Sequence, residues 1–230
     1  MALPKIKHPT YSISIPSSKQ KITIRPFTVQ EEKLLLMAKS SEKLEDVIDC
    51  MVKIVQNCII EPIDVSKLAT FDVEYIFIKL RSKSVGEIVD LEYNDTETGK
   101  VNFQVNLEDV EVKFSPEHTS KIKVYDDIYV KMKYPTLSDM KEVGGDINES
   151  NIVDILYKCI EQMYDDKEVY TEYSKEELEE FINNLPVESI ANITKFFNTM
   201  PIVEHTVILK NKEGQTKEVL LRGINSFFTF

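Results

Sequence analysis

The sequence has few cysteines and no long apolar run, and each shortage excludes a class of protein. Its three cysteines, Cys50, Cys58 and Cys159, cannot all pair and lie within helical patterns, which indicates buried thiols in a reducing compartment. No apolar run approaches the roughly 20 residues that a membrane-spanning helix needs. The N-terminal run MALPKIKHPTYS lacks the apolar core of a secretory signal. We therefore expect a protein that folds in the cytoplasm of the cell that makes it.

Positive charge is also scarce. Lys and Arg total 28 against 39 Asp and Glu, so the 230-residue chain has a formal net charge of -11 and a sequence pI near 4.9. The lysines are scattered and closely followed by acids, as in KSSEKLED and SKEELEE. Such a surface repels a phosphate backbone unless it carries a local basic patch, and the sequence contains none. Nucleic-acid binding is not expected.

The residue patterns of catalytic and cofactor sites are missing as well. The histidines, His8, His118 and His205, are isolated in the sequence, and the cysteines form no Cys-x-x-Cys pair of the kind that binds zinc. There is no Gly-x-Ser-x-Gly nucleophile motif and no glycine-rich phosphate loop. Acidic pairs fall on charged helix faces or loops, where solvation is their usual role. No catalytic, cofactor-binding or metal-binding residue is assigned, although an enzyme with a site built from dispersed residues stays an alternative.

An acidic turn, NDTETG at residues 94–99, separates two alternating runs. Asp95, Glu97 and Gly99 are spaced a little like a calcium loop, so the tip is a metal site, a substrate loop or only a turn. A calcium loop ends in a bidentate Glu, which the continuation NDTETGKVNFQV lacks, and Lys100 would oppose the cation. Asn, Asp and Gly readily close hairpins. The sequence favours a solvated turn.

A hydrophobic fraction of 42% suits an ordinary folded protein, and periodicity predicts an α+β fold in three sections. Section 1–86 opens with a hairpin of YSISI and KITIRPF and continues in helices. Section 87–134 is antiparallel β: EIVDLEY pairs with KVNFQVNL, and IKVYDDIYVKMKYP adds one or two strands. Section 135–230 is mainly helical and closes with the hairpin HTVILKNKEGQTKEVLLRG and an aromatic tail. Its segment 143–151, VGGDINESN, is the best candidate for a hinge.

Capping and breaking signals locate the helices. Thr28 with Glu31, and Ser174 with Glu177, are spaced as capping boxes. The run TFDVEYIFIKLRSK predicts a helix that is capped by its first residue, Thr70, and is apolar on nearly every side, as in the middle of a core. Further helices are expected over SEKLEDVIDCMVKIVQNCII, PTLSDMKEV, IVDILYKCIEQMY and PVESIANITKFFNTM.

The aromatic C-terminus is a candidate partner-binding segment. The closing residues FFTF place Phe227, Phe228 and Phe230 at the end of the chain. Exposed phenylalanines at a chain end are costly unless something covers them. They dock either into the protein's own core or into a neighbouring subunit.

A second candidate partner-binding cluster lies in IRPFTVQEEKLLLMA. Arg25 and Phe27 sit beside a capped acidic first turn that contains Glu31 and Glu32. Capping within the chain accounts for most of this cluster, but its density makes it a candidate contact site.

Several segments, in order along the chain, form a recognisable pattern. The run LPKIKHPTYSISIPSSKQKITIRPFTVQEEKLLLMAKSSE has a Pro-Thr-Tyr strand, an Arg-Pro-Phe turn and a helix that opens with Glu-Glu-Lys. The pattern continues through VQNCI, DVSKLATFDVEYIFIKLRSKSVGE, NLEDVEVKF and the KYPT turn that ends at Thr136. It resembles the T-even-type phage baseplate hub family, of contractile-tail phages. The C-terminal third matches that family only in length and helical character.

The resemblance implies a non-enzymatic protein, without a cofactor, that helps to build the central hub of a phage tail baseplate through contacts with other tail proteins. Family members are described as hub subunits or as hub assembly factors, and both stay open, the second as a chaperone absent from the mature virion. The implied locations are the host cytoplasm during assembly and the virion baseplate if the protein is retained there. The resemblance also leaves open that several copies of the protein assemble into a ring. The resemblance implies that many relatives carry a Cys-x-x-Cys pair at the tip that corresponds to residues 94–99. This chain has no cysteine there, so no metal-linked role carries over.

Overall fold

The chain folds into two compact units that both mix helices with small antiparallel sheets. The computed structural model describes residues 4, 6–41, 44–95, 99–144, 151–210 and 214–227. The first unit comprises Met1–Lys113 and Ile202–Phe230, and the second comprises Phe114–Pro201. Helices and antiparallel sheets occur in both, which confirms the α+β class.

The elements of the described residues are numbered in chain order. The helices are α1 (Val29–Lys39), α2 (Leu44–Cys58), α3 (Thr70–Val85), α4 (Leu137–Glu142), α5 (Ile152–Cys159), α6 (Lys175–Asn183) and α7 (Val187–Thr199). The strands are β1 (Tyr11–Ser14), β2 (Lys21–Ile24), β3 (Ile88–Asp95), β4 (Gly99–Asn106), β5 (Glu111–Lys113), β6 (Lys121–Tyr125), β7 (Ile128–Met132), β8 (Ile160–Tyr164), β9 (Val169–Tyr170), β10 (Ile202–Lys210) and β11 (Thr216–Arg222).

Antiparallel pairing organises the first unit. The predicted hairpins are present: β1 pairs with β2, β3 with β4, and β10 with β11. The other side of β10 pairs with β5, so β10 and β11 join a strand from much earlier in the chain. The sequence analysis divided the chain by runs of similar secondary structure, into sections 1–86, 87–134 and 135–230. The two compact units divide it differently, because they depend on the long-range pairing of β10 with β5.

Helix α3 runs through the core of the first unit, as its apolar sequence predicts. Its most buried side chains are Val73, Ile76, Phe77, Ile78 and Leu80. Ile78 belongs to a cluster in which the two longer hairpins meet; the other fully buried members are Val89, Val105, Leu107, Val110, Val203, Leu209, Val219, Leu221 and Phe227. Burial of this apolar surface is the main stabilising term for the unit.

Two buried charges on α3 tie it to neighbouring loops. The Asp72 carboxylate accepts hydrogen bonds from the Ser17 backbone N–H (2.9 Å) and hydroxyl (2.5 Å), in the β1–β2 connection. The Lys79 ammonium donates to the carbonyls of Leu107 (3.1 Å) and Glu108 (2.7 Å). Burial raises the pKa of Asp72 and lowers the pKa of Lys79. Both charges are therefore structural, since buried charges must be hydrogen-bonded or paired.

The second unit is built on one antiparallel sheet with the strand order β6-β7-β8-β9. Helix α7 packs on β6, and the Ser189 hydroxyl on α7 donates a hydrogen bond to the Val124 carbonyl on β6. The His118 ring stacks against Tyr134 and packs beside Phe196, with centroid distances of 5.4 Å and 4.9 Å. His118 is thus a half-buried ring that packs against the core of this unit.

Two predicted features are wrong. Thr70 is the first residue of α3, and Ala69, which makes no side-chain cap bond, holds the cap position. The helix predicted over IVDILYKCIEQMY ends at Cys159, and the following residues form β8. The apolar residues of that strand keep a helical spacing, but pairing with β7 supplies backbone hydrogen bonds that override the local pattern.

Other predicted boundaries are confirmed. The Ser174 hydroxyl accepts the Glu177 N–H (3.1 Å) while the Glu177 carboxylate accepts the Ser174 N–H (2.7 Å), which completes the capping box of α6. Gly86 follows α3 with a φ of 138°, a conformation that strains any residue with a Cβ. Pro186 holds the cap position immediately before α7.

Candidate partner-binding surface

The predicted N-terminal cluster is assembled around the buried carboxylate of Glu31. Thr28 caps α1, and the Glu31 carboxylate accepts hydrogen bonds from the Thr28 backbone N–H (2.8 Å) and hydroxyl. The Arg25 guanidinium donates to both oxygens of the same carboxylate, at 3.2 Å and 3.0 Å. The Glu31 side chain is only 1% exposed, and that of Arg25 is 20% exposed. The cluster thus locks the turn before α1 to the first turn of the helix.

The pKa of Glu31 reports the strength of this arrangement. Burial by itself would raise the pKa of the carboxyl, but the hydrogen bonds from Arg25 and Thr28 outweigh it and lower the pKa from 4.5 to about 2. The same hydrogen bond raises the pKa of Arg25. Both side chains are ionised at neutral pH and satisfy each other within the chain.

The other two residues of the predicted cluster differ in burial. The Phe27 backbone N–H donates to the Ser84 hydroxyl (2.8 Å), and its ring packs against Phe77 on α3 at 5.8 Å. Glu32 is exposed on the first turn of α1. On α3, burial lowers the pKa of Arg81, and the charge of Glu32 acts in the opposite direction. The buried Nη1 of Arg81 has no hydrogen-bond partner among the described residues. Sequence reasoning missed Arg81 because only the folded chain brings α3 beside α1.

Helix α1 carries apolar side chains on its outer face as well as on its inner one. Ala38 is buried and α1 packs on α2, which accounts for the inner face. On the outside, Val29, Leu36 and Met37 are 73%, 59% and 70% exposed. Val29 and Leu36 are seven residues apart and lie on the same side of the helix, and Met37 adjoins Leu36 about 100° further round. We call these three exposed residues the α1 outer face. An exposed apolar stripe on a rigidly capped helix is typical of a protein-binding surface.

The C-terminal aromatic residue that the structure describes lies in the core. Phe227 is 1% exposed and packs in the cluster formed by the two longer hairpins. A short turn over Ile224–Ser226 directs it inwards, and the Ser226 hydroxyl accepts the Arg222 N–H (3.0 Å) to close that turn. Phe227 therefore takes the first of the two placements considered from the sequence, the protein's own core. Phe228 and Phe230 lie outside the described residues.

Glu74 links α3 to this C-terminal turn. Burial raises its pKa to about 7, although a hydrogen bond from the Ile224 backbone N–H acts in the opposite direction. The folded chain therefore binds this proton more tightly than the unfolded chain does. The contribution of Glu74 to stability is greatest below its ordinary pKa of 4.5 and falls as the pH rises from 4.5 to about 7.

Replacing Glu74 by glutamine should remove this pH dependence. The amide oxygen can still accept the Ile224 N–H, and no charge has to be buried at neutral pH. We expect the free energy of unfolding at neutral pH to rise by about 1 to 3 kcal/mol. Urea denaturation across the acid-to-neutral range, followed by circular dichroism, measures this, with the exposed Glu218→Gln as control. An unchanged slope between pH 4.5 and about 7 would contradict the role given to Glu74.

Other candidate positions from the sequence fall partly outside the described residues. At the acidic turn, Asp95 pairs with Gly99, whose φ is 79°, and residues 96–98 between them are not described. Residues 145–150 of the expected hinge are not described either. Among the described residues, no group of three His, Cys, Asp or Glu side chains is placed to hold a metal ion. In the same part of the chain, no helix is both long and apolar enough to cross a bilayer.

Two of the three cysteine thiols, those of Cys58 and Cys159, lie in the core. Burial raises the pKa of the Cys58 and Cys159 thiols to about 12, so neither is a nucleophile at neutral pH. Two open hollows, of about 240 and 370 Å³, lie on the second unit. The four described groups with the largest pKa shifts, Glu31, Cys58, Glu74 and Cys159, line neither hollow.

Comparison with known proteins gives one match. The family model described as T4 bacteriophage base plate protein matches residues 8–229, nearly the whole chain. No curated protein and no solved structure matches the chain. The matched range contains the capped turn, the α1 outer face and the buried Phe227.

Proposed function

The chain belongs to the T4 bacteriophage base plate protein family, and we propose that it serves the central hub of the tail baseplate by binding other tail proteins through the α1 outer face. The single observation that carries the choice of surface is the exposure of Val29, Leu36 and Met37 on one side of a rigidly capped helix. The buried Arg25–Glu31 pair then has a clear role. It fixes the direction of α1, so that the stripe is presented without a loss of conformational freedom on binding.

The properties of the rest of the chain support a non-enzymatic role. The groups with large pKa shifts are buried structural residues, and a net charge of -11 disfavours binding to nucleic acid. The acidic surface also favours solubility of the free chain before assembly. The proposed partners are therefore hub proteins of the same baseplate, and no cofactor is proposed.

Charge introduced into the α1 outer face should abolish partner binding. In the variant Leu36→Glu/Met37→Glu, two carboxylates would have to be desolvated at the centre of the interface. We expect the recovery of other tail proteins with the affinity-tagged variant from infected cells to fall about tenfold or more. Quantitative mass spectrometry of the recovered proteins measures this.

The control is Val187→Glu, which places one carboxylate on an exposed apolar residue of α7 in the second unit. It should leave the recovery of tail proteins unchanged. Equal recovery with the α1 variant, at an unchanged circular dichroism spectrum and melting temperature, would contradict the proposed surface.

Whether the protein remains in the finished particle separates its two proposed roles. A hub subunit is present in purified virions in fixed proportion to other baseplate proteins. An assembly factor is missing or substoichiometric there, but still binds tail proteins in infected cells. The α1 outer face serves either role, so mass spectrometry of virions assigns the role without testing the surface.

Phe228 and Phe230 are proposed as a further contact of this chain with hub proteins. A stop codon after Phe227 removes both rings and keeps the buried one. If the two rings bind a partner, this truncated chain recovers less tail protein than the full chain does, whereas equal recovery leaves the terminus without a binding role.

A further inference from the structure

The larger hollow of the second unit is an apolar groove. Its apolar and aromatic lining comes from four different elements and one loop: Ile128 on β7, Met163 on β8, Tyr170 on β9, Phe181 on α6, and Tyr173 just before α6. The groove has a volume of about 370 Å³ and is open to solvent. That space is enough for a branched aliphatic side chain and its neighbours, within the range of small binding pockets.

The rim of the groove is acidic. Asp165, Glu172 and Glu177 contribute carboxylates, and none of the described residues that line the groove is Lys or Arg. Hydrogen bonds from the Glu168 and Lys167 backbone N–H groups lower the pKa of Asp165. The rim thus carries negative charge at neutral pH. An occupant that complements it must present an apolar side chain between positive ones.

One segment of the chain has this chemistry. The N-terminal sequence PKIKHPT, residues 4–10, places Ile6 between two lysines. In the single chain Ile6 is 80% exposed, and Lys7 and His8 are exposed too. Pro4 and Pro9 disfavour a helix here, so the segment is suited to lie extended in a groove. Because Ile6 is exposed in its own chain, it is free to enter the groove of a second copy.

We propose that the acidic groove of one copy binds the N-terminal segment of a second copy, with Ile6 on the apolar floor and the flanking lysines on the acidic rim. The contact is heterologous, because the segment and the groove are different surfaces of the same chain. Contacts of this kind give rings where the rotation closes. The proposal goes beyond the function given above and does not depend on it.

The first test uses a synthetic peptide of residues 4–10, acetylated at its N-terminus, as the probe. Titrated into the isotope-labelled full chain, it should shift the amide resonances of groove residues to saturation. The groove variant Glu172→Lys/Glu177→Gln should bind the peptide about tenfold or more weakly, because the rim loses its negative charge. Gln at position 177 retains the capping box of α6. Equal affinity for both proteins, or no shifts in the groove, would overturn the proposal.

The second test measures self-association of the full chain by sedimentation velocity. The wild-type chain should associate more as its concentration rises, and both Ile6→Asp and the groove variant should need about tenfold higher concentrations. Ile208→Asp, which changes a similarly exposed isoleucine on β10, should behave as the wild type does.

Wild-type chains that stay monomeric although the peptide binds would show that the groove binds a different protein, and would overturn the second copy as its occupant. Association that persists in Ile6→Asp would also overturn it. None of these outcomes depends on tail proteins, so failure here is distinct from failure of the proposed function.

Discussion

Replacing Glu31 by glutamine should lower the free energy of unfolding of the first unit by about 3 kcal/mol. The carboxylate is 1% exposed and accepts hydrogen bonds from Arg25 and Thr28. The glutamine amide has only one acceptor oxygen, and its NH2 group would face the N–H donors of Arg25 or Thr28. The half-buried guanidinium would then lack one of its two hydrogen-bond acceptors. Gln is also found at this position of capping boxes. The decrease in the free energy of unfolding therefore measures the charge pair with Arg25 more than the helix cap.

The pH dependence of stability provides an independent measure of the same pair. The pKa of Glu31 is about 2 in the folded chain, against its ordinary value of 4.5. Its contribution to stability is therefore fully present above pH 4.5 and is lost as the pH falls from 4.5 to about 2. Urea denaturation followed by far-ultraviolet circular dichroism should show a shallower acid slope for Glu31→Gln than for the wild-type chain.

The neighbouring Glu32 supplies the matched control. It carries the same side chain on the same helical turn but is exposed. Glu32→Gln should change the free energy of unfolding by less than about 0.5 kcal/mol. If the two variants lose equal stability, the buried pair does not anchor α1, and the rigidity ascribed to the α1 outer face has no basis.

Replacing Phe227 by alanine should destabilise the first unit by about 3 to 5 kcal/mol. The ring is 1% exposed within the cluster that joins the two longer hairpins, and its removal leaves a cavity that the surrounding strands cannot fill. The midpoint of urea unfolding measures the effect. Truncation after Ile224 removes the same ring and should be at least as destabilising, so lost binding in that truncated chain would not identify a docking peptide.

Asn225→Ala is the control for Phe227. Asn225 lies in the same C-terminal turn and is exposed, so its replacement should change stability by less than about 0.5 kcal/mol. A Phe227→Ala variant as stable as this control would mean that the ring is not seated in the core of its own chain.

Features decided by neighbouring residues in the sequence could be predicted. The capping boxes at Thr28 and Ser174 need only a hydroxyl residue and an acidic residue three positions later. Helices α1 and α6 begin directly after them. The three hairpins follow from period-two runs on either side of polar turns. The buried α3 follows from its apolar residues on every side.

Features decided by distant contacts could not be predicted. β8 continues the apolar spacing of α5, and only the pairing with β7 makes it a strand. Asp72 and Lys79 interrupt the apolar sequence of α3, but their partners lie in other loops. The pairing of β5 with β10, which decides the extent of the first unit, leaves no local signal in either strand.

The candidate surface was predicted only in part. The sequence indicated the dense cluster around Glu31, but not that its neighbours Leu36 and Met37 face outwards. The run LLLM is apolar at four consecutive positions, so its exposed side is visible only once α2 is known to cover the other side. The placement of Phe227 likewise needed the cluster of the hairpins.

Site-specific photocrosslinking from position 36 tests the central claim, binding of tail proteins through the α1 outer face, most directly. The protein would carry a benzophenone side chain in place of Leu36 and be irradiated in infected cells, with position 187 as the reference. The account predicts a covalent adduct with another tail protein from position 36 and none from position 187. Adducts from position 187 alone, or adducts from neither position, would contradict it.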